Sequence, residues 1–480
     1  MGKRKANGRR DFLKVTAAAA AGIALTSGGI GKALAKAAAA GRSPLNKWPG
    51  RVVVNFNKAV FSTGTTVAPD VLKKMVDDSV LLLTGQTDLG AAWKSAFPSS
   101  LSAASKIAIK VNTLNYGMPS PHWSSVKAMT DGLQKMDFGG TLFPAANITI
   151  FDMNNGPVSE NRLSKAGFTA ENFPGGIAIV TDTAVENTDG ALGNRKYAQS
   201  LKNADFMINV FGARGHNIPP EGSQFSMGFK SHYGTYFDAN GMHGDVPGNL
   251  RAINAVGPVY NKQALNFCVG IFGTDEGTGP EKPASVFSTY AKAIDTTSST
   301  QCPTTVIVST DPISAEMQAI KILRMNKSKQ YDLASMPPYL KSCAGIDVAG
   351  LSPTYDLGVI DETKMEIRRI VNGQVMAVKS PSARLAAGVG AAVWARQVKG
   401  HSTFVDFALP KEHIGKEAVL EVFNARGGLT RTFSQKVLGI RNHLSWDERD
   451  GSGTVAAAGM YLIKLTCGSL RDASQFSIVR

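Results

Sequence analysis

Cysteine is scarce in this chain and does not cluster. Cys268, Cys302, Cys343 and Cys467 are spread over 480 residues with no Cys-x-x-Cys pair. That excludes the common zinc-ribbon and iron–sulfur spacings and a small disulfide scaffold. One or two disulfides, or buried free thiols, fit the spacing equally well. Also absent is any run of ~18 strongly apolar residues, so no transmembrane span is expected in the mature chain. Acidic side chains are outnumbered, 37 against 52 basic, for a formal charge of +15. No zinc finger, basic zipper or aromatic RNA-binding pattern accompanies that excess, and no nucleic-acid partner is expected. What is present is an ordinary apolar share, 43%. It rules out global disorder and suits about two or three domains of ~100–200 residues.

The charge is uneven. Residues 1–39 carry Lys3, Arg4, Lys5, Arg9, Arg10, Lys14, Lys32 and Lys36 against Asp11 alone, and the remaining chain holds a net of only +8. A mild excess of that kind is a solvated surface that at most favours small anionic partners. The leader has a cationic segment through Lys14, a weakly apolar run from Val15 to Ile30, and small-x-small sites at Ala33-Leu34-Ala35 and Ala37-Ala38-Ala39. That is the layout of an export signal. Within it, Gly8-Arg9-Arg10-Asp11-Phe12-Leu13-Lys14 resembles the twin-arginine signal pattern. The resemblance implies a signal peptide over 1–39, the twin-arginine translocation machinery as a partner, and a destination in the periplasm or at the cell surface. The plain alternative is an uncleaved amphipathic helix. The route carries folded proteins, often with a cofactor inside, so a bound cofactor such as a divalent metal is compatible with it.

Short apolar runs then alternate with helical periodicity. Strands are expected at Val52–Phe56, Ile107–Val111, Ile148–Phe151, Ile177–Val180, Phe206–Val210, Leu265–Ile271 and Thr305–Val308. Helices fit Val71–Val76 and onward to Leu83, Val126–Met136 and Ile313–Leu323, the last capped by Asp311 with Pro312 in its first turn. This reads as an α/β domain with a largely parallel sheet and flanking helices over residues 50–345. Ligand sites of such folds lie beyond the carboxyl ends of the strands. The polar residues there are Lys110, Asn112, Asn115 and His122 after one strand, and Asp152, Asn154 and Asn155 after another. Arg214 and His216, then Thr274, Asp275 and Glu276, and finally Thr310 and Asp311 follow three more. Caps and turn formers account for some of them.

The densest polar stretch is 212–245, which contains Arg214, His216, Lys230, His232, His243 and Asp245. Lys230 lies between Phe229 and Tyr233, a setting that can desolvate an amine or clamp an anionic group. His216, His232, His243 and Asp245 have the donor types for a divalent metal without a zincin spacing; hydrogen-bonded loop histidines are the plain alternative. Residues 50–345 resemble the domain of unknown function 362 group. The matching stretches are Lys106–Asn112, Pro121-His122, Asn147–Asp152, Met227–Gly234, Ile271–Asp275 with Gly279-Pro280, and Ile307–Pro312. The resemblance implies an α/β fold and a pocket built around Lys110, Lys230 and Asp275; the ferredoxin-type cysteine clusters of some relatives are absent. As an enzyme, the chain is expected to use Lys110, Lys230, Asp275 and Glu276 for catalysis and Asn112, Arg214 and Asp311 for ligand or cofactor binding. His216, His232, His243 and Asp245 are the candidate metal ligands.

Residues 346–392 read as a closing segment and linker. From Val393 the pattern changes to period-two alternation with Gly- and Asp-rich turns, as expected of a small antiparallel β-sandwich over 393–480. The run Trp446-Asp447, Asp450-Gly451, Gly459-Met460-Tyr461 resembles the immunoglobulin-like domain of flagellar hook-capping proteins. It implies a module for attachment, sorting or self-assembly at the cell surface, or a cap on its neighbour. Two functions of different class follow: an exported ligand-binding or metal-dependent catalytic protein, and a non-catalytic surface or solute-binding protein.

Overall fold

The structure is a computed structural model. It describes residues 45–478 except 115, 119, 154–160, 183–184, 188–194, 217–224, 238–239, 280–281, 377–390, 399–401 and 440. The leader, Asn115, Asn154, Asn155 and Pro280 therefore lie outside the described residues. The chain divides into two compact units, through Ala377 and from Val378.

The first unit is organised by one nine-stranded sheet. Its strands in chain order are β1 (Arg51–Phe56), β2 (Ile107–Val111), β3 (Ile148–Met153), β4 (Ala178–Asp182) and β5 (Phe206–Ala213). They continue with β6 (Gln263–Gly273), β7 (Thr305–Ser309), β8 (Glu366–Val371) and β9 (Gln374–Met376). The spatial order is β9-β8-β1-β7-β6-β5-β2-β3-β4. All neighbours pair in parallel except that β7 opposes both β1 and β6, and β9 opposes β8.

Period-two alternation assigns the two faces. Ile107, Ile109 and Val111 belong to one buried cluster and Ala108 to the other. The first face is covered by α1 (Pro69–Thr84), α2 (Leu89–Ala96) and α3 (Trp123–Leu133), which contribute Met75, Val80, Trp93 and Met129. On the second face lie a one-turn helix α4 (Gly228–Ser231), α5 (Val246–Ala255), α6 (Pro312–Asn326) and α7 (Pro338–Cys343). The result is a three-layer α/β/α unit, because a largely parallel sheet must bury both faces.

The reversal of β7 moves one expected site residue. The carboxyl end of β7 lies at the opposite end of the sheet from those of β2, β3, β5 and β6, so Asp311 is not on their rim. It is instead a buried clamp. Its Oδ2 accepts from Gly50 N at 2.8 Å and Val359 N at 2.9 Å, and its Oδ1 caps α6 through Ser314 N at 2.9 Å. Residues 346–376 also do more than close the domain. Asn372 and Gly373, both at positive φ, turn β8 back into β9 and extend the sheet edge.

The second unit is a β-sandwich. Its strands are β10 (Ala392–Val398), β11 (Ser402–Ala408), β12 (Glu417–Asn424), β13 (Leu429–Lys436), β14 (Arg441–Trp446), β15 (Gly459–Cys467) and β16 (Leu470–Ile478). They form antiparallel sheets ordered β10-β11-β14 and β13-β12-β15-β16. Trp446 is the centre of the core, edge-on to Tyr461 and Phe476, with its Nε1 donating to Arg449 O at 2.7 Å. All four cysteines are free thiols. No described helix is long and apolar enough to cross a membrane.

Candidate functional site

The rim formed by the ends of β2, β3, β5 and β6 carries two adjoining polar nests. In the first, Lys110 reaches from β2 onto the second face and is fully buried. Its Nζ pairs with Asp152 Oδ1 at 2.9 Å and donates to Val111 O at 2.6 Å. The other oxygen of Asp152 accepts from Thr113 N and Thr113 Oγ1, both at 2.8 Å. Burial lowers the Lys110 pKa and Asp152 opposes that shift. Arg214, also fully buried, donates to Asn112 Oδ1 at 3.0 Å, Asn112 O at 2.8 Å and Ser120 Oγ at 3.0 Å. A Cβ placed on Gly234 would lie 2.9 Å from Asp152 Oδ1 and 3.0 Å from Lys110 Nζ. Glycine therefore lets the 232–234 turn cross directly over the ion pair.

His232 belongs to this nest. Its Nε2 lies 2.5 Å from Gln263 Oε1 and its Nδ1 3.2 Å from Thr235 Oγ1. Burial, with the charge of Lys110, holds its pKa down to about 3, so the ring is neutral. With an amide oxygen on Nε2, that nitrogen carries the hydrogen and Nδ1 accepts from the threonine hydroxyl.

The second nest is built on Lys230, in α4 and nearly buried. Its Nζ lies 3.1 Å from His216 Nε2 and 5.5 Å from the ring centre of Tyr233. His243 stacks on His216 with ring centres 6.0 Å apart and meets Tyr233 edge-on at 5.2 Å. Burial first, then the charges of Lys230 and His243, push the His216 pKa down to about 3. An ammonium can only donate, so Nε2 of the neutral ring accepts and the hydrogen sits on Nδ1. That Nδ1 is buried without a hydrogen-bond partner among the described residues.

Beneath α4 lies a carboxyl group absent from the expected set. Glu316, on α6, accepts from Phe229 N at 3.3 Å and from Tyr339 OH at 3.0 Å. Burial raises its pKa to about 7. A Cβ on Gly228 would come within 2.8 Å of the Phe211 ring and 3.0 Å of Glu316 Oε2. Glu316 thus holds the start of the turn that carries Lys230. A row of buried polar groups runs on across the sheet in register, Lys110–Asn209–Asn266–Ser309. Asn209 Nδ2 donates to Gly228 O at 3.0 Å, while Asn209 Oδ1 and Asn266 Nδ2 have no partner among the described residues.

The remaining expected residues are elsewhere engaged. Asp275 and Glu276 follow β6 on the same rim but pair with the end of α6 and the residues after it. Lys327 Nζ lies 2.7 Å from Asp275 Oδ2, Lys329 Nζ 3.3 Å from Glu276 Oε2, and Arg324 Nη2 3.9 Å from Glu276 Oε1. Asp245 is exposed and caps α5 through Gly248 N at 3.0 Å. The four candidate metal ligands therefore split between two nests and a helix cap. Among the described residues, no three His, Cys, Asp or Glu side chains gather to hold a metal ion. The donor set does not fit one, and no metal-dependent step is derived. Glu316 could have been found in the sequence, since it interrupts the apolar positions Ile313, Met317 and Ile320 of a buried helix face. Gln263 carries no comparable mark.

No family model matches the chain, and no curated protein does. Solved structures match over partial segments. Dimeric latent PorU of Porphyromonas gingivalis is 15% identical over 18% of this chain and 9% of that one, with a TM-score of 0.16. The chain is similar, too, to FlgD of P. aeruginosa, 15% identical over 18% of this chain and 63% of that one, TM-score 0.14. FlgD of Xanthomonas campestris, described for hook capping in flagellar assembly, is 17% identical over 20% and 73%, TM-score 0.14. The chain thus spans under a tenth of PorU and less than two thirds of the first FlgD.

Proposed function

We propose that this chain is an exported bacterial protein whose α/β unit binds a small anionic ligand at the strand-end rim, with His216 as the contacting donor and Lys230 supplying the charge. The carrying observation is the buried His216 Nδ1–H, which has no acceptor among the described residues, on a ring whose other nitrogen faces the Lys230 ammonium. A buried donor without an acceptor costs about 1–3 kcal/mol, and an oxyanion accepting from Nδ1–H, held by the Lys230 charge across the ring, would satisfy it. A pKa held near 3 keeps the His216 ring neutral and suits it to donating a hydrogen bond rather than exchanging a proton near neutral pH, which favours a binding reading in which Lys230 orients the ligand. Lys110 and Arg214 set the positive field from the neighbouring nest. The resemblance to the domain of unknown function 362 group, carried by the order of the motifs, agrees with this reading. The twin-arginine pattern supports export, and the sandwich's turn pattern supports a role in surface attachment or sorting.

The test is a thermal-shift panel of phosphate, sulfate and small carboxylates on the wild type and Lys230→Met. Stabilisation of the wild type by at least one anion, absent in a variant that melts at a similar temperature, is the expected result. An unchanged response in Lys230→Met, or no response in the wild type, rejects the assignment. Export is tested separately: Arg9→Lys with Arg10→Lys should leave the full chain in the cytoplasm on fractionation, and a variant lacking residues 391–480 should appear in the medium while the full chain stays with the cell envelope if the sandwich is the anchor.

A further inference from the structure

A cavity of about 160 Å³ lies away from the strand-end rim, between the open edge region of the sheet and α6. Its apolar lining comes from Val54 and Phe56 on β1, Ile370 on β8, and Ile294 and Met325. The volume is close to that of the ~150 Å³ cavities that accept a single benzene ring. Unlike those, this one has a charged wall, made by Arg369, Lys321, Gln318 and Tyr290, with Tyr331 beside them.

Most of that wall is already occupied. Lys321 Nζ pairs with Glu362 Oε1 at 2.6 Å and sits 4.7 Å from the Tyr331 ring centre; Gln318 Nε2 donates to the same oxygen at 3.1 Å. Tyr290 OH shares a hydrogen with Thr305 Oγ1 at 3.0 Å. Arg369 is different. Half-buried on β8, its side chain makes no hydrogen bond or ion pair with the described residues, although it is near enough to Glu362 and Tyr331 to influence both. Its neighbour Arg368 shows what the strand otherwise provides: it forks onto Glu366 Oε1 at 2.8 and 2.5 Å and donates to Leu82 O. Two cations against one carboxylate leave this pocket with an excess positive charge, and the uncommitted group is a planar fork suited to a carboxylate.

We infer that this cavity is a second ligand site, which takes a small monocarboxylate with a flat apolar body, the carboxylate on Arg369 and the body against Met325, Ile294 and Phe56. Phosphate and sulfate match the charge but leave the apolar lining unfilled. A neutral amide of the same shape fills the lining but leaves the guanidinium unmatched.

The experiment is calorimetric titration of the full chain with benzoate, benzamide and inorganic phosphate, with saturation-transfer NMR to show contact of the ring. Benzoate should bind in preference to both others. Arg369→Gln should weaken it by about tenfold or more, and Ala293→Trp, at the mouth, should block it with the guanidinium intact. In Lys230→Met, which removes carboxylate binding at the rim, benzoate binding that depends on Arg369 should persist, which separates this site from the rim. Equal binding of benzamide or phosphate, no benzoate binding, or benzoate binding that survives both Arg369→Gln and Ala293→Trp overturns the inference.

Discussion

Lys110 and Lys230 are both buried lysines on the same rim, yet their surroundings differ in kind. Lys110 is bound to a carboxylate whose second oxygen is itself satisfied by Thr113. Lys230 meets a neutral imidazole whose far nitrogen has no partner among the described residues. The first arrangement is closed and reads as part of the scaffold. The second is open and reads as a place for something to bind. Burial alone therefore does not separate the two lysines; the buried donor beyond Lys230's partner, unmatched among the described residues, is what sets the proposed site apart.

The sharpest way to break that contrast is Lys110→Met. It leaves Asp152 buried without its cation and should cost about 3–5 kcal/mol, read as a lower urea midpoint; a loss below about 1 kcal/mol would put Lys110 on the binding side of the comparison. Asp311→Ala should come next, at about 3 kcal/mol, because three backbone N–H groups lose one acceptor. Gly358→Ala should act in the same direction, since its Cβ would lie 1.9 Å from Asp311 Oδ1.

Glu316 makes a pH-dependent contribution. Its folded pKa of about 7 exceeds the ordinary 4.5. The folded state therefore binds more protons between those values, and stability is lost as pH rises through that window. Glu316→Gln should flatten this loss, on the order of 2–3 kcal/mol, in denaturant midpoints measured from pH 4.5 to 7. The neutral histidines act oppositely. His216 and His232, held near 3, withdraw stability as pH falls from 6.5 toward 3, because the unfolded chain then binds more protons. His232→Gln should reduce that acid sensitivity. Smallest of all in stability should be Lys230→Met, within about 1 kcal/mol, even while it removes the anion response.

Much of the α/β unit was legible because its buried strands are short, mostly apolar runs rich in Ile and Val. Ile107–Val111 is recovered with its expected bounds, and α6 begins at Pro312 with Asp311 as its cap. Strand direction is not written in such runs. Thr305–Ser309 looks like its neighbours in sequence but runs against them, and that alone displaced Asp311 from the rim. The histidines misled for another reason. Lys230 and His232 are two residues apart on a helical turn, about 200° around the axis. One therefore meets His216 while the other meets Gln263, and closeness in sequence does not become a shared ligand set. The β8–β9 hairpin was readable from Asn372-Gly373, but its arginine-rich strands hid it among looser sequence.

The reversed strand also determines where the folded domain is entered. Asn46 Nδ2 donates to Leu357 O at 3.1 Å, Trp48 N to Thr310 Oγ1 at 3.1 Å, and Gly50 N to Asp311. The polypeptide thus joins the sheet at the end away from Lys230, a strand length of roughly 17–20 Å. A tether or reporter joined just before residue 45 would grip the α/β unit at the end of the sheet away from Lys230, which makes that junction the natural handle for immobilised ligand screening.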